Sequence, residues 1–220
     1  MKRTGQKKVL VTGFEPFAGE SDNPSLEIAR TLHGKRIAGR RIVGAVLPTE
    51  FARSLSTLEA LLRKHKPELV LAVGQAGGRA GISLERVAIN LIDARIADNA
   101  GEQPIDKSVV RNAPAAYFST LPLKAMLRRL QDANIPAALS QTAGTFVCNQ
   151  VFFGLAHRLA KRARRTRGGF VHVPYLPQQA ARNGDAPSME LATMLEAIRL
   201  CIETALSTHE DLHFAAGTTH

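Results

Sequence analysis

A chain of 220 residues with 45% apolar side chains has the size and composition of one globular domain, which excludes a disordered polymer. It contains no apolar run of about 18 residues, no signal-peptide core and only two cysteines, so we expect a cytoplasmic protein without membrane spans or disulfides. The net charge of +10 suggests a nucleic-acid partner, but residues 1–8 and 158–167 hold the whole excess and the rest of the chain is neutral.

Short apolar runs alternate with amphipathic helical patterns along the chain. The first helix is predicted to start at Asn23-Pro24, because asparagine caps helices and proline suits their first turn. Residues 69–73 are apolar throughout, which is typical of a strand covered by helices on both faces. In chain order, the predicted elements are a strand at 9–12, a helix at 24–33, a strand at 41–47, a helix at 51–65, strands at 69–73 and 86–92, a helix at 122–133, a strand at 137–140, a helix at 148–163, a strand at 169–173 and a helix at 187–206. This order predicts the fold class α/β, as a single-domain α/β/α sandwich on a twisted, mainly parallel sheet.

The irregular segments indicate where a site could lie. We expect residues 1–220 to form one domain with a disordered tail at about 207–220, because no repeat or linker interrupts the pattern and no periodicity follows Ser207. Residues 93–114 are rich in Asp, Asn, Gly and Pro and predict a long loop, a type of segment that is often functional. Sites in parallel α/β folds lie at the carboxyl ends of strands. Four segments at such ends have unusual sequences, namely 13–17, 74–78, 140–148 and 172–174.

Cys148 is the candidate nucleophile. It follows a strand-to-helix segment and lies at or near the N-terminus of the helix predicted at 148–163. Free backbone N–H groups and the positive end of the helix dipole stabilise a thiolate there, and they could also hold a developing oxyanion. A buried structural cysteine is the alternative interpretation, and it is the one we assign to Cys201, which lies within an apolar helix.

A thiol nucleophile needs a base, and His172 is the best placed of the seven histidines. It lies near the carboxyl end of the strand predicted at 169–173, directly before the loop that Pro174 begins. His157 cannot serve, because it lies nine residues beyond Cys148, about 13 Å along the same helix and on its opposite face. A hydrogen-bonded structural histidine is the alternative interpretation of His172.

The imidazole of such a site is usually oriented by a carboxylate. Glu85, Asp93 and Asp98 all qualify by chemistry alone, and an ordinary surface pair of Glu85 with Arg86 is the alternative for the first. Other kinds of site are not supported. The sequence contains no G-x-S-x-G, G-x-x-x-x-G-K-[ST] or H-E-x-x-H motif, and no metal-ligand cluster has suitable spacing.

Four longer segments together are specific enough to name a family. They are 9–17 (VLVTGFEPF), 74–90 (GQAGGRAGISLERVAIN), 140–149 (SQTAGTFVCN) and 172–177 (HVPYLP). On these segments the chain resembles type I pyroglutamyl peptidases, the cysteine peptidases that remove an N-terminal pyroglutamate from peptides. The resemblance covers nearly all of residues 8–206. The second segment looks like the family's glutamate signature and the third like its cysteine signature.

The resemblance implies a catalytic triad, a substrate pocket and an assembly. The triad consists of Glu85, Cys148 and His172, acts through a thioester intermediate and needs no metal or cofactor. Arg95 and the backbone N–H of Cys148 lie at the oxyanion, and the residues that match the pocket are Phe14, Phe17, Asn23 and Gln75. The family's single α/β/α domain is often a homotetramer, so the expected partners are N-terminally pyroglutamylated peptides and further copies of the chain, without a membrane.

The departures from the family are small, and they lie at Ala18, Gln150 and Gln179. The basic run at 161–167 is heavier than usual for the family. It supports an alternative function as a nucleic-acid or polyanion binding module, through Arg162, Arg164, Arg165 and Arg167. We prefer a solvated helix end, because no aromatic side chains interleave these arginines and basic residues complement a helix C-terminus. A pseudoenzyme is a third alternative, which the intact triad argues against.

Overall fold

A seven-stranded sheet organises the computed structural model, which describes residues 7–161 and 166–217. The strands are β1 (Lys8–Phe14), β2 (Arg36–Ile37), β3 (Arg40–Leu47), β4 (Leu69–Gln75), β5 (Ile82–Glu85), β6 (Val87–Ile89), β7 (Ala116–Phe118), β8 (Ala137–Ser140) and β9 (Arg167–Val173). The order across the main sheet is β2-β3-β1-β4-β9-β5-β8, and β6 and β7 form a separate antiparallel pair. Four of the six strand pairings in the main sheet are parallel, which confirms the predicted mainly parallel sheet.

Three strands of the sheet, β2, β5 and β8, run against the other four. The strands β3, β1, β4 and β9 are parallel to one another, whereas β5 pairs antiparallel with β9 and parallel with β8. The strand β8 therefore runs opposite to β1, β4 and β9, the strands that precede the other three unusual segments. Because β8 points the opposite way, the chain after Ser140 turns back before it starts the next helix beside β4.

Helices cover both faces of the sheet. They are α1 (Pro24–Leu32), α2 (Ser54–His65), α3 (Leu123–Asp132), α4 (Val147–Ala160), α5 (Pro177–Arg182) and α6 (Leu191–Ser207). One hydrophobic cluster joins α1, α3 and α6 to one face, and a second joins α2 and α4 to the other. All seven residues of β4 are buried between these layers, as its continuous apolar run predicts. The three layers confirm the predicted α/β/α sandwich.

Close contact between α1 and the sheet depends on glycine. Asn23 caps α1 as predicted, since its Oδ1 accepts a hydrogen bond of 3.0 Å from the Ser25 backbone N–H. A Cβ atom at Gly13 would lie 2.0 Å from the Ser25 carbonyl oxygen, and one at Gly44 would lie 1.8 Å from that of Ala29. These two glycines let α1 lie directly on β1 and β3.

The predicted elements differ from the observed ones in several places. The strand predicted at 86–92 is present but shorter, as β6 in the separate pair, whereas β5 of the main sheet was not predicted, because its buried polar side chains break the apolar pattern. The final helix starts at Leu191 rather than at residue 187, because Ser188 pairs with Tyr175 in an isolated β-bridge and the Met189 N–H bonds to the Tyr175 carbonyl oxygen, which keeps this segment extended. The helix predicted from residue 51 starts at Ser54, and α5 was not predicted.

The segment after Ser207 has no further helix or strand up to residue 217, and residues 218–220 lie outside the described part. It nevertheless contacts α3. Asp211 accepts hydrogen bonds of 3.0 and 2.9 Å from the backbone N–H groups of Lys124 and Ala125, at the start of a helix that has no side-chain cap of its own. None of the helices in the described ranges is long and apolar enough to cross a bilayer.

Candidate active site

A cavity of about 730 Å³ opens where β4 and β9 end. Five of the predicted site residues line it, and they are Phe17, Gln75, Arg95, Cys148 and His172. Carboxyl ends of adjacent parallel strands are the usual location of sites in such folds. The cavity therefore brings together residues from every one of the four segments that the sequence singles out.

Cys148 is the second residue of α4, and its sulfur points to β4. A Cβ atom placed on Gly74 would lie 2.9 Å from the Cys148 Sγ. Within the described chain no side chain caps α4, so the N–H groups of its first turn are open to a ligand. The predicted place of Cys148 near a helix N-terminus is therefore confirmed.

The protonation state of Cys148 differs from the expected thiolate. Burial is the main cause that raises the pKa of its thiol to about 12, and the Glu85 carboxylate acts in the same direction. The Arg79 guanidinium lowers this pKa but does not balance the other two effects. The thiol is consequently neutral at pH 7, and a reaction at the sulfur requires a base to take its proton.

His172 lies on β9 and is the register partner of Gly74 on the adjacent strand β4. This register brings the imidazole to the same level of the sheet as the Cys148 sulfur. Its Nδ1 is 2.7 Å from the Glu85 Oε1, and both side chains are buried. Since a carboxylate only accepts hydrogen bonds, Nδ1 carries the proton, and Nε2 is the nitrogen that can accept another. The arrangement makes His172 a base with a fixed tautomer.

Glu85 is the carboxylate that orients this histidine. It is fully buried on β5, where Ser83 is the register partner of His172. The two alternatives occupy other roles: Asp98 accepts hydrogen bonds from the backbone N–H groups of Phe51, Ala100 and Glu102, and Asp93 is exposed at the cavity. Of these three carboxylates, only Glu85 contacts the imidazole.

Arg79 compensates the buried charge of Glu85, and sequence reasoning missed it. Its guanidinium donates a hydrogen bond of 2.7 Å to the same Oε1 that His172 contacts, and another of 3.1 Å to the Thr142 carbonyl oxygen. A buried carboxylate needs such a partner, because an unpaired charge costs several kcal/mol to remove from water. The signal was an arginine directly after the glycines at 77–78, inside the glutamate signature.

The first turn of α4 is held from two sides. Asn149 donates hydrogen bonds of 2.9 Å to the carbonyl oxygens of Ile89 and Leu91. Gln150 accepts from the Ser54 hydroxyl at 3.0 Å and donates to the Phe51 carbonyl oxygen at 2.9 Å. These buried amides fix the position from which Cys148 projects.

Two predicted pocket residues do not line the cavity. Phe14 is 2% exposed and packs against Phe170, with ring centroids 6.2 Å apart, because the alternation of β1 points it into the core. Asn23 is buried as the cap of α1 and bonds to the Glu15 carbonyl oxygen. Phe146, which was not predicted, lines the cavity instead, with its ring centroid 6.1 Å from that of Phe17.

The remaining candidates lie elsewhere. Cys201 is 1% exposed in the core, as predicted. Arg167, from the polyanion alternative, donates to the carbonyl oxygens of Ala205 and Thr208 at the end of α6, while Arg162, Arg164 and Arg165 lie outside the described residues. Over the described ranges, no group of three or more His, Cys, Asp or Glu side chains is arranged to hold a metal ion.

The contact at Gly74 leads to a first prediction. In Gly74→Ala the added methyl group meets the Cys148 Sγ at 2.9 Å and the Phe170 ring at 2.8 Å, so the sulfur has to move. We expect kcat/KM for a substrate of this site to fall by about 100-fold, the usual effect of a 1 Å misplacement. Steady-state kinetics on the folded variant measure the effect.

Gly154→Ala is the matched control, because it adds a methyl group to α4 against Leu55, which does not line the cavity. We expect it to keep kcat/KM within about threefold while lowering the melting temperature, as overpacking does. Equal losses of kcat/KM in both variants would show that the contact of Gly74 with the sulfur is unimportant.

Comparisons with known proteins agree with this geometry. The sequence model of a family described as pyroglutamyl peptidase matches residues 7–208. The pyrrolidone-carboxylate peptidase of Bacillus cytotoxicus is 51% identical over 214 residues, which cover 97% of this chain and 100% of that protein. Pyrrolidone-carboxylate peptidase 1 of Ralstonia nicotianae is 56% identical over 212 residues, with coverages of 96% and 99%. The crystal structure of pyroglutamyl peptidase I from Bacillus amyloliquefaciens is similar with a TM-score of 0.92 and 43% identity, covering 96% of this chain and 100% of that one.

Proposed function

Because the chain belongs to the pyroglutamyl peptidase family, whose members are cysteine hydrolases that remove an N-terminal pyroglutamate, we propose that Cys148, His172 and Glu85 carry out this reaction. The observation that carries the assignment is the buried hydrogen bond between Glu85 and His172 at the wall of the cavity that Cys148 also lines. A nucleophile, a base and a group that orients the base are the parts that this chemistry needs.

The first half of the reaction acylates the enzyme. As the Cys148 sulfur attacks the pyroglutamyl carbonyl carbon, the thiol proton passes to the His172 Nε2, because the raised pKa of the thiol leaves it protonated beforehand. The open backbone N–H groups at the start of α4, including that of Cys148, and the exposed Arg95 stabilise the oxyanion. The imidazolium then gives its proton to the leaving amine, the amide bond breaks and a thioester remains.

The second half releases the product. His172 takes a proton from a water molecule, whose oxygen attacks the thioester carbonyl carbon. The carbon–sulfur bond breaks, the sulfur regains a proton from His172, and free pyroglutamate leaves. Throughout, the Glu85 carboxylate stabilises the imidazolium, since it is buried and lies 2.7 Å from Nδ1.

The substrate class follows from the walls of the cavity. Phe17 and Phe146 present aromatic faces to a flat, uncharged lactam ring, and Gln75 adds an amide for its polar edge. An ordinary peptide N-terminus brings an ammonium group, which is costly to desolvate beside aromatic rings. N-terminally pyroglutamylated peptides are the substrates that fit, and nucleic acid is not an expected partner.

Assembly and location are part of the proposal. The family resemblance supports a homo-oligomer, with a tetramer as the expected form, and the apolar side chains of Phe118 and Ile105, which are 71% and 58% exposed, suit contact with another copy. A cytoplasmic location fits two free cysteines, Cys148 and Cys201. We expect one peptidase domain over residues 1–220.

Hydrolysis of a chromogenic pyroglutamyl amide tests the function. We expect release of the chromophore, and complete loss of that activity after iodoacetamide treatment, because alkylation removes the nucleophile. Mass spectrometry should locate the label on Cys148, while Cys201 provides an internal control, since it is 1% exposed. Activity that survives full alkylation of Cys148, or inactivation with the label only on Cys201, would rule out the proposed nucleophile.

A further inference from the structure

Gln179 is buried next to the substrate pocket and bonds to Gln75, which lines that pocket. We propose that Gln179 sets the hydrogen-bond polarity of this pocket by holding the side-chain amide of Gln75 with its NH₂ group toward the cavity. This inference rests on the proposed function, because it concerns how the same pocket selects a pyroglutamyl ring. Gln179 does not line the cavity, so it acts through Gln75 as a positioning residue.

Two backbone groups fix the orientation of the Gln179 amide. Its side chain is fully buried, and its Oε1 lies 3.0 Å from the Leu176 backbone N–H, which can only donate. Its Nε2 lies 3.1 Å from the Asp22 carbonyl oxygen, which can only accept. If this amide were rotated by 180°, its NH₂ group would face the Leu176 N–H and its oxygen would face the Asp22 carbonyl oxygen. Only the observed orientation is therefore stable.

The orientation of Gln75 follows from that of Gln179. The second hydrogen of the Gln179 Nε2 points to the Gln75 side chain at 2.9 Å, so the atom it meets is the acceptor Oε1. The Nε2 of Gln75 therefore lies on the side of its amide that faces away from Gln179. No acceptor in the described chain bonds to this Nε2, and Gln75 lines the cavity while only 7% of it is exposed.

The pocket consequently offers a fixed donor and not an acceptor at Gln75. The lactam carbonyl oxygen of a pyroglutamyl residue is an acceptor, and it distinguishes this ring from that of proline, which has a methylene group there. A donor that stays unpaired in the buried pocket penalises a prolyl ring, as sites built to hydrogen-bond a substrate reject analogues that lack the group. The chain from Asp22 and Leu176 through Gln179 to Gln75 thus contributes to substrate selection.

The test exchanges the donor of Gln179 for an acceptor. In Gln179→Glu the carboxylate can accept but not donate, so the Gln75 amide turns its NH₂ away from the cavity. We expect KM for a chromogenic pyroglutamyl amide to rise about tenfold, the effect of one lost hydrogen bond, with kcat within about twofold. Gln75→Met should raise KM by a similar factor, and the double variant should show no further increase, because both changes remove the same contact.

Gln178→Glu is the matched control, since it adds the same charge to an exposed neighbour on α5, and its KM should equal that of the wild type. If Gln179→Glu folds poorly by circular dichroism, Gln179→Met replaces it, with an expected increase in KM of about threefold. An unchanged KM in the folded Gln179 variant, or factors that multiply in the double variant, overturns the inference.

A binding measurement separates this inference from the proposed function. Calorimetry on Cys148→Ala protein, with and without Gln179→Glu, gives Kd for an uncleaved pyroglutamyl amide. We expect Kd to rise about tenfold with Gln179→Glu. If the wild-type enzyme binds the amide but does not cleave it, the proposed function is contradicted, and the change in Kd still tests the role of Gln179. If the protein does not bind the amide at all, both the proposed function and the role of Gln179 are overturned.

Discussion

Cys148→Ala and Cys148→Ser should lower kcat for a pyroglutamyl amide by about 10⁴-fold or more, because each removes the group that forms the thioester. Alanine leaves no nucleophile. A serine hydroxyl is a far weaker one, and it sits in the same recess beside Gly74, where burial and Glu85 already disfavour loss of a proton from the thiol. Stopped assays at high enzyme concentration give the residual rate.

The control for this prediction is Cys201→Ala. Cys201 is buried in the core within α6. Its replacement by alanine should lower the stability of the fold, because it leaves a small cavity, but should keep kcat within about twofold. Wild-type turnover in either Cys148 variant would contradict the nucleophile assignment. Loss of turnover in Cys201→Ala with an unchanged melting curve would indicate that Cys201, and not Cys148, is the nucleophile.

Glu85→Gln should lower kcat by about 10³- to 10⁴-fold, although it preserves size and shape, because it removes the charge that stabilises the His172 imidazolium and the fixed tautomer. The same substitution also has a second effect, on the Cys148 thiol, that acts in the opposite direction. Glu85 raises the pKa of the Cys148 thiol, so Glu85→Gln makes the thiolate easier to form. A net loss in kcat therefore shows that the imidazolium, and not the thiolate, is the species that the carboxylate has to stabilise.

An Arg79 variant separates this explanation from simple charge imbalance. Glu85→Gln leaves the Arg79 guanidinium without its carboxylate partner, and a purely electrostatic disturbance would be relieved by adding Arg79→Met. We expect no recovery of kcat in the double variant. Recovery to within about tenfold of the wild type would mean that Glu85 serves mainly to neutralise Arg79.

The part of the site that follows local rules could be predicted from the sequence. A cysteine after a strand-to-helix segment and a histidine at a strand end make Cys148 and His172 candidates by position, although a structural role stayed open for each until the family resemblance was considered. Glu85 could not be separated from Asp93 and Asp98 in this way, because the choice depends on β5 pairing with β9, a contact 87 residues apart in sequence. Only the family resemblance singled it out.

The rest depends on long-range contacts and burial, which local patterns do not encode. The raised pKa of the Cys148 thiol comes from its surroundings in the folded chain, whereas its place at a helix start alone indicates the opposite direction. Phe14 matched a pocket aromatic in sequence, yet strand alternation turns it inward. The strand β5 was missed because two of its four residues, Ser83 and Glu85, are polar although buried and interrupt the apolar pattern.

The bond from Asp211 to the start of α3 has a consequence for the rate of folding. The acceptors for the N–H groups of Lys124 and Ala125 lie 87 and 86 residues further along the chain. The helix α6, which covers the same face of the sheet, comes just before Asp211 in the sequence. This layer of the sandwich therefore closes through contacts between distant parts of the chain, and such contacts slow folding because the entropy of loop closure is lost before the contacts form.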